Sequence, residues 1–207
     1  MKKGYGLDRK YNTALHDPGK NRRLAFFMGF LRNPDLVGSI IPSSRFLERR
    51  LIEVADLQHA RLVVELGPGT GGTTRAILAA MSENANLIAL EINEEFVALL
   101  RAEADPRLIV HHGSAEHLPQ ILRHYTSRQP DVVISGIPFS TMPHNLGTRI
   151  IQAVWASLAP GGRFIAYQFR DQVAMLGRQL LGKPEIEVEL LNIPPVRIFH
   201  WRKPLLR

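Results

Sequence analysis

Residues 61–72 read R-L-V-V-E-L-G-P-G-T-G-G, and the fold turns on how this stretch is read. A short apolar run stopping at a glycine turn is the pattern of a buried strand, and a helix follows from Gly72 through Thr73, Thr74 and Ala76 to Met81. Gly67, Gly69 and Gly71 alternate along the turn, so the backbone can bend sharply and approach a ligand at distances a Cβ would forbid. Gly67, Gly69 and Gly72 also satisfy the dinucleotide pattern G-x-G-x-x-G, so the glycines alone do not name the ligand. Glu65 narrows the choice. A carboxylate two positions before the first glycine repels a pyrophosphate and suits a ligand carrying an ammonium or sulfonium charge.

Outward from this loop, short apolar runs at 87–91, 108–112, 131–135 and 163–169 alternate with helical patterns at 93–100, 118–125, 146–158 and 171–181. Segments 185–191 and 197–201 read as a closing strand pair. This alternation predicts an α/β fold: a Rossmann-like sheet of seven strands, mostly parallel with an antiparallel closing strand and helices on both faces. Ligands in such sheets bind beyond the C-terminal strand ends. Glu91 lies about 20 residues past the glycine loop, where an acid ending the second strand reaches ribose hydroxyls. An amphipathic helix is expected from about Arg45 to Val54, with Ser43 or Ser44 as its N-cap or as a hydroxyl cover over the ligand.

At 207 residues and 45% hydrophobic content the chain can bury one substantial core. Cysteine is absent, which excludes disulfides and thiolate metal sites and fits a reducing compartment. Adjacent strand residues His111 and His112 face opposite sides, so no metal site is expected. No apolar run approaches the ~18 residues that span a bilayer, so the expectation is a soluble, cytoplasmic protein. The charge of +7 is uneven: through Arg50 there are eleven Lys and Arg against four acids, and beyond it fifteen of each. A basic leading segment on a balanced body implies an anionic partner, nucleic acid or membrane surface, unless it is only a solvated tail. Within it, 20–32 reads as a helix with a stripe of Leu24, Phe27, Met28 and Leu31. Phe26 and Phe30 lie off that stripe beside Lys20, Arg22 and Arg23, a composition that suits an interfacial helix on anionic lipid as well as one packed on the core. The chain is therefore divided into a basic docking segment, 1–55, and a ligand-binding domain, 56–207.

Five elements in order resemble the class I S-adenosylmethionine-dependent methyltransferases over residues 61–201: the E-x-G-x-G-x-G loop, Glu91, Gly113-Ser114-Ala115, Ile137-Pro138-Phe139 and L-A-P-G-G-R-F. The resemblance implies S-adenosylmethionine as cofactor. Glu65, Gly67, Gly69, Thr70 and Gly71 would hold its methionine part, Glu91 with Ile92 the ribose, and Ser114, Ala115 and Glu116 the adenine, with Ser43, Ser44 and Ser135 as further contacts. Relatives often carry Asp where Ser114 stands, so that contact is weaker here or passes to Glu116.

Within that class the turn at 38–47 and Ile137-Pro138-Phe139 are similar to segments of the rRNA adenine dimethylases, whose N-L-P-Y Asn would fall on Gly136. Glycine removes the side-chain acceptor that orients a base amine. A closer resemblance is to bacterial soluble phospholipid N-methyltransferases, carried by the basic apolar helix, V-G-x-I-x-P-S-S from Val37 to Ser44, and Ser135-Gly-Ile-Pro138. It implies methylation of the phosphatidylethanolamine amine by a peripheral protein on the inner face of the cytoplasmic membrane. RNA adenine methylation is the second reading, and a non-catalytic cofactor-binding module the third. A protonated lipid amine must lose a proton, for which the Ile137 carbonyl, Ser135 and His144 are candidate acceptors, while Phe139 either faces the methylated cation or fills the core. Arg197, Arg202 and Lys203 are candidates for the lipid phosphate, with Arg22, Arg23 and Arg32.

Overall fold

The computed structural model describes residues 44–192 and 195–205. The expected helix at 20–32, the turn at 37–43 and Ser43 itself lie outside the described residues.

Every residue of β1, Leu62–Leu66, is buried, as a central parallel strand covered on both faces requires. It lies between β2, Asn86–Glu91, and β4, Val132–Ser135, both parallel to it. With β3, Leu108–His112, β5, Arg163–Gln168, β6, Glu185–Glu189, and β7, Val196–Arg202, the sheet order is β3-β2-β1-β4-β5-β7-β6. β7 runs antiparallel to both β5 and β6, so the expected closing strand is observed. From β1 the chain winds outward to β3, then returns to lay β4 on the other side of β1. The ends of β1 and β4 therefore flank the crevice where this topology binds ligands.

Strand alternation sends the two halves of each strand's side chains into separate cores. Leu62, Val64 and Leu66 pack with α4, Leu118–Tyr125, α5, His144–Ser157, and α6, Gln172–Leu181. Val63 packs on the opposite face with α1, Arg45–Ala55, and α2, Gly72–Ala80. The i, i+4, i+8 residues Leu47, Leu51 and Ala55 of α1 are 0% exposed, which ties this helix firmly to the sheet. Burial of each leucine contributes about 1.5–3 kcal/mol. α3, Glu94–Arg101, packs on β2 and β3 and is capped by Asn93, whose Oδ1 accepts from Glu95 N at 2.8 Å and Phe96 N at 3.2 Å. Among the described residues, expected and observed α-helices differ only at their ends, α5 beginning at His144 rather than Leu146.

Candidate active site

Glu65 shares a sheet face with Val63, so its side chain runs under the first turn of α2. There Thr74 Oγ1 donates to Glu65 Oε2 at 2.6 Å. The carboxylate is 1% exposed, and its Oε1 has no hydrogen-bond partner among the described residues. Burial, with Glu91 adding to it and Thr74 opposing, pushes its pKa up to about 8. A buried oxygen with no hydrogen-bond partner beside a ligand crevice is a position that a donor on a ligand would fit.

The turn above Glu65 is held by backbone bonds from Gly67 N to Leu90 O and from Gly71 N to Pro68 O. Gly67, Gly69 and Gly71 take φ of 69°, 58° and 83°, the left-handed region that favours glycine. At Gly69 a Cβ would meet nothing within 4 Å, so the loop's outer surface opens onto free space. Thr70 is exposed at its tip. Glu91, 4% exposed at the end of β2, closes the other side: Oε2 accepts from Gly69 N at 3.1 Å, and Oε1 accepts from Ile92 N at 2.8 Å and Asn93 N at 2.9 Å. Burial pushes its pKa up against the pull of these backbone donors. Glu65, the glycine loop, Glu91 and Ile92 thus form one continuous wall.

After β3, Ala115 is buried at the start of a short 3-10 turn, Ala115–His117, beside the half-buried Ser114. Glu116 is already engaged: Arg149 Nε of α5 donates to its Oε2 at 2.9 Å, and Ser114 Oγ approaches its Oε1 at 3.4 Å. Ser44 acts as the N-cap of α1, accepting from Leu47 N at 3.3 Å. His111 and His112 go separate ways, to Tyr125 and to the Ile92 carbonyl, and the described residues contain no cluster suited to a metal.

The expected catalytic residues are not all brought to the crevice. Ser135 is 0% exposed and its Oγ accepts from Ile137 N at 3.3 Å. The Ile137 carbonyl accepts from Phe139 N at 3.0 Å and from Gln168 Nε2, filling both its lone pairs and counting against it as a proton acceptor. Phe139 is 1% exposed, turned inward by the 3-10 turn Phe139–Thr141 onto the core around α5 and α6, so of its two readings the core one holds. His144 begins α5 as an exposed residue. Of the phosphate candidates, Arg197 pairs with Asp171 at 2.6 Å, and Lys203 Nζ donates to the Trp155 and Leu158 carbonyls at 2.8 and 2.7 Å. Those bonds engage Lys203 in tying the residues just after β7 to α5.

Groups that sequence reading passed over also meet here. Thr73 and Thr74 are buried at the start of α2, and Gln168 spans to the loop after β4. Tyr167 of β5 reaches across Gly136, its hydroxyl 3.4 Å from Thr73 Oγ1. None belongs to a recognisable motif. Only the strand register, which pairs Ser135 with Ala166, brings Tyr167 beside Gly136.

A family model described as "Methyltransferase domain" matches residues 63–162, from β1 to the turn before β5. The ornithine lipid N-methyltransferase of Singulisphaera acidiphila is 35% identical over 85% of this chain and 94% of its own length. The chain belongs to the class I S-adenosylmethionine-dependent methyltransferases. Ribosomal RNA small subunit methyltransferase A of Phenylobacterium zucineum is 31% identical over 51% of this chain and 34% of its own. Among solved structures, TrmN from Thermus thermophilus shares the fold at a TM-score of 0.63 and 21% identity, covering 87% of this chain and 53% of TrmN.

S-adenosylmethionine is the cofactor of this methyltransferase, and the wall fits it. The open Glu65 Oε1 matches a cationic amino-acid group, and the space outside Gly69 admits a ligand against the backbone.

Proposed function

We propose that this methyltransferase acts on the primary amine of an aminolipid head group, with phosphatidylethanolamine as substrate, at the inner surface of the cytoplasmic membrane. The observation that carries the reading is the similarity to a lipid N-methyltransferase over 85% of this chain and 94% of that protein's length. An ornithine lipid and phosphatidylethanolamine offer the same chemistry, a primary alkylamine on an acyl-chain anchor. Segment 1–55 would dock the enzyme, its cationic and aromatic side chains meeting the head-group layer and α1 fixing it to the body. No helix among the described residues is long and apolar enough to cross a membrane.

When bound, S-adenosylmethionine supplies a methyl group already activated on a sulfonium centre, so strong acid–base catalysis is not required. The protein's task is to orient and to exclude water. Glu65 would ionise to pair with the ligand's ammonium, and Glu91 would exchange backbone donors for ribose hydroxyls. Ala115 with Ser114 and Glu116 would border the adenine. Ser135 and Gln168 act further back, holding the loop after β4 in shape.

RNA adenine methylation remains the second reading, favoured by the partial similarity to ribosomal RNA methyltransferases. Expression in a host whose membranes contain phosphatidylethanolamine without methylated derivatives tests the choice. Mass spectrometry should find methylated phosphatidylethanolamine. Unmodified lipid alongside newly methylated adenine in ribosomal RNA would overturn the proposal.

A further inference from the structure

We infer that an apolar rim at the active-site end of the β6 edge, Leu190 and Leu191 with Phe46 of α1, enters the head-group layer of an anionic membrane and turns the crevice toward it. This rests on the aminolipid reading and adds a contact surface separate from residues 1–43.

Strand direction places the rim. β6 runs parallel to β5, since each is antiparallel to β7, and Glu189 pairs with Val196 beside the Gln168–Arg197 step that ends β5. The chain beyond Glu189 therefore emerges at the C-terminal end of the sheet, the end that carries the glycine loop and Glu91. Leu190 and Leu191 stand there 71% and 64% exposed, with Leu191 N donating to Glu189 Oε1 at 2.8 Å to hold the turn. α1 reaches the same end. Its last carbonyls, those of Val54 and Ala55, accept from Arg163 at the first residue of β5, so its first residues lie at the opposite, C-terminal end of that strand. Midway, Arg50 of α1 meets Glu187 of β6 at 3.3 Å. Phe46 is exposed in the first turn of α1, with the Arg45 guanidinium 5.0 Å from its ring centre. Residues 1–43 join the body at this end too, so the leading segment and the rim can act on one surface.

Single exposed leucines are ordinary on a protein surface. Two in succession at a strand end, beside an exposed aromatic and on the end that holds the site, have the composition of an interfacial contact. Charge selects its occupant. Arg45 and Arg170 are exposed and pair with no carboxylate among the described residues, while Arg197 is matched by Asp171 and Glu189 is engaged by Leu191 N. On the other half of the same end, α3 opens with the exposed acids Glu94 and Glu95. An anionic head-group layer attracts the first half and repels the second, which sets the tilt of the molecule on the surface. A second copy seated symmetrically on the rim would instead gather the unpaired arginines of both chains in one interface. Arg170 also borders the opening beside Gly136, so the charged rim continues to the edge of the crevice.

The test is Leu190→Ser combined with Leu191→Ser in the full chain, on vesicles of phosphatidylethanolamine and phosphatidylglycerol. Both side chains are exposed, so the thermal midpoint and S-adenosylmethionine affinity should match wild type. Vesicle binding by sedimentation should fall about 10- to 100-fold, the loss for withdrawing two partly inserted leucines. Methyl transfer to the same vesicles should fall with it, while transfer to dispersed short-chain phosphatidylethanolamine, which needs no surface, should be unchanged. Leu99→Ser, an exposed leucine of α3 in the acidic half, should leave vesicle binding at the wild-type level. Wild-type vesicle binding by the double variant, or an equal loss with Leu99→Ser, would overturn the rim. A wild-type dimer in solution that the double variant separates, with vesicle binding unaltered, would give the rim to a second copy and overturn it as well. Wild type that binds vesicles through the rim yet labels no lipid would sink the aminolipid reading alone.

Discussion

Replacing Glu65 by Gln removes the charge while keeping the shape and an oxygen for Thr74. In the wild-type protein without cofactor, burial holds the Glu65 pKa at about 8 against an ordinary 4.5. A carboxyl whose folded pKa lies above its unfolded value binds more protons folded than unfolded, so its stabilising share is whole below 4.5 and is lost as pH rises to about 8. The slope is at most about 1.4 kcal/mol per pH unit for one group. Between pH 5.5 and 8.5 the wild type should thus lose about 3 kcal/mol relative to Glu65→Gln. Urea denaturation of both proteins without cofactor, across that range, measures the difference. Parallel stability curves would refute the claim that Glu65 is buried neutral. The same argument reaches function: S-adenosylmethionine binding near pH 7 should release about one proton from the wild type, and calorimetry in buffers of different ionisation enthalpy should find none from the variant. Binding of the variant should be weaker.

Other perturbations separate ligand contact from scaffold. Glu91→Ala should weaken S-adenosylmethionine binding by about 1–3 kcal/mol, and unaltered affinity in calorimetry would remove Glu91 from the site. Deleting residues 1–31 should abolish binding to anionic vesicles while leaving circular dichroism of a folded core, because α1, which stays, carries the buried Leu47 and Leu51. Vesicle binding by the truncated protein equal to wild type would contradict the docking role. Gly177→Ala on α6 places a Cβ against the Trp201 ring, closer than packed atoms tolerate. A net loss of about 1–2 kcal/mol should result, after the gain in helix propensity, and denaturation at unchanged midpoint would show that α6 shifts freely.

The sheet was legible because its signals are local. Buried strands stop at glycine or polar turns, and Leu47, Leu51 and Ala55 recur at helical spacing. The glycine loop and Glu91 were legible because their spacing follows from one strand–turn–helix unit after another. Lateral neighbours were not. Tyr167 acquires its place from the pairing of β4 with β5, which no spacing within either strand encodes. Phe139 was open to two readings, as an aromatic after Pro138 in a ligand loop, and the 3-10 turn buries it in the core. Glu65 was recognised as a cation-matching carboxylate, but its neutral state follows from its complete burial, with Glu91 adding to the shift and Thr74 opposing it. Lys203, read as a candidate for the lipid phosphate, is held instead by the Trp155 and Leu158 carbonyls at the end of α5.

The central claim is aminolipid methylation, and the most direct measurement is transfer of radiolabelled methyl from S-adenosylmethionine to anionic vesicles. Parallel reactions would contain phosphatidylethanolamine, ornithine lipid, lipid lacking any amine, and total RNA. Label in phosphatidylethanolamine, with none in amine-free lipid or RNA, is the predicted result. Label in ornithine lipid alone would keep the aminolipid class and replace the substrate, and label confined to RNA would contradict the account.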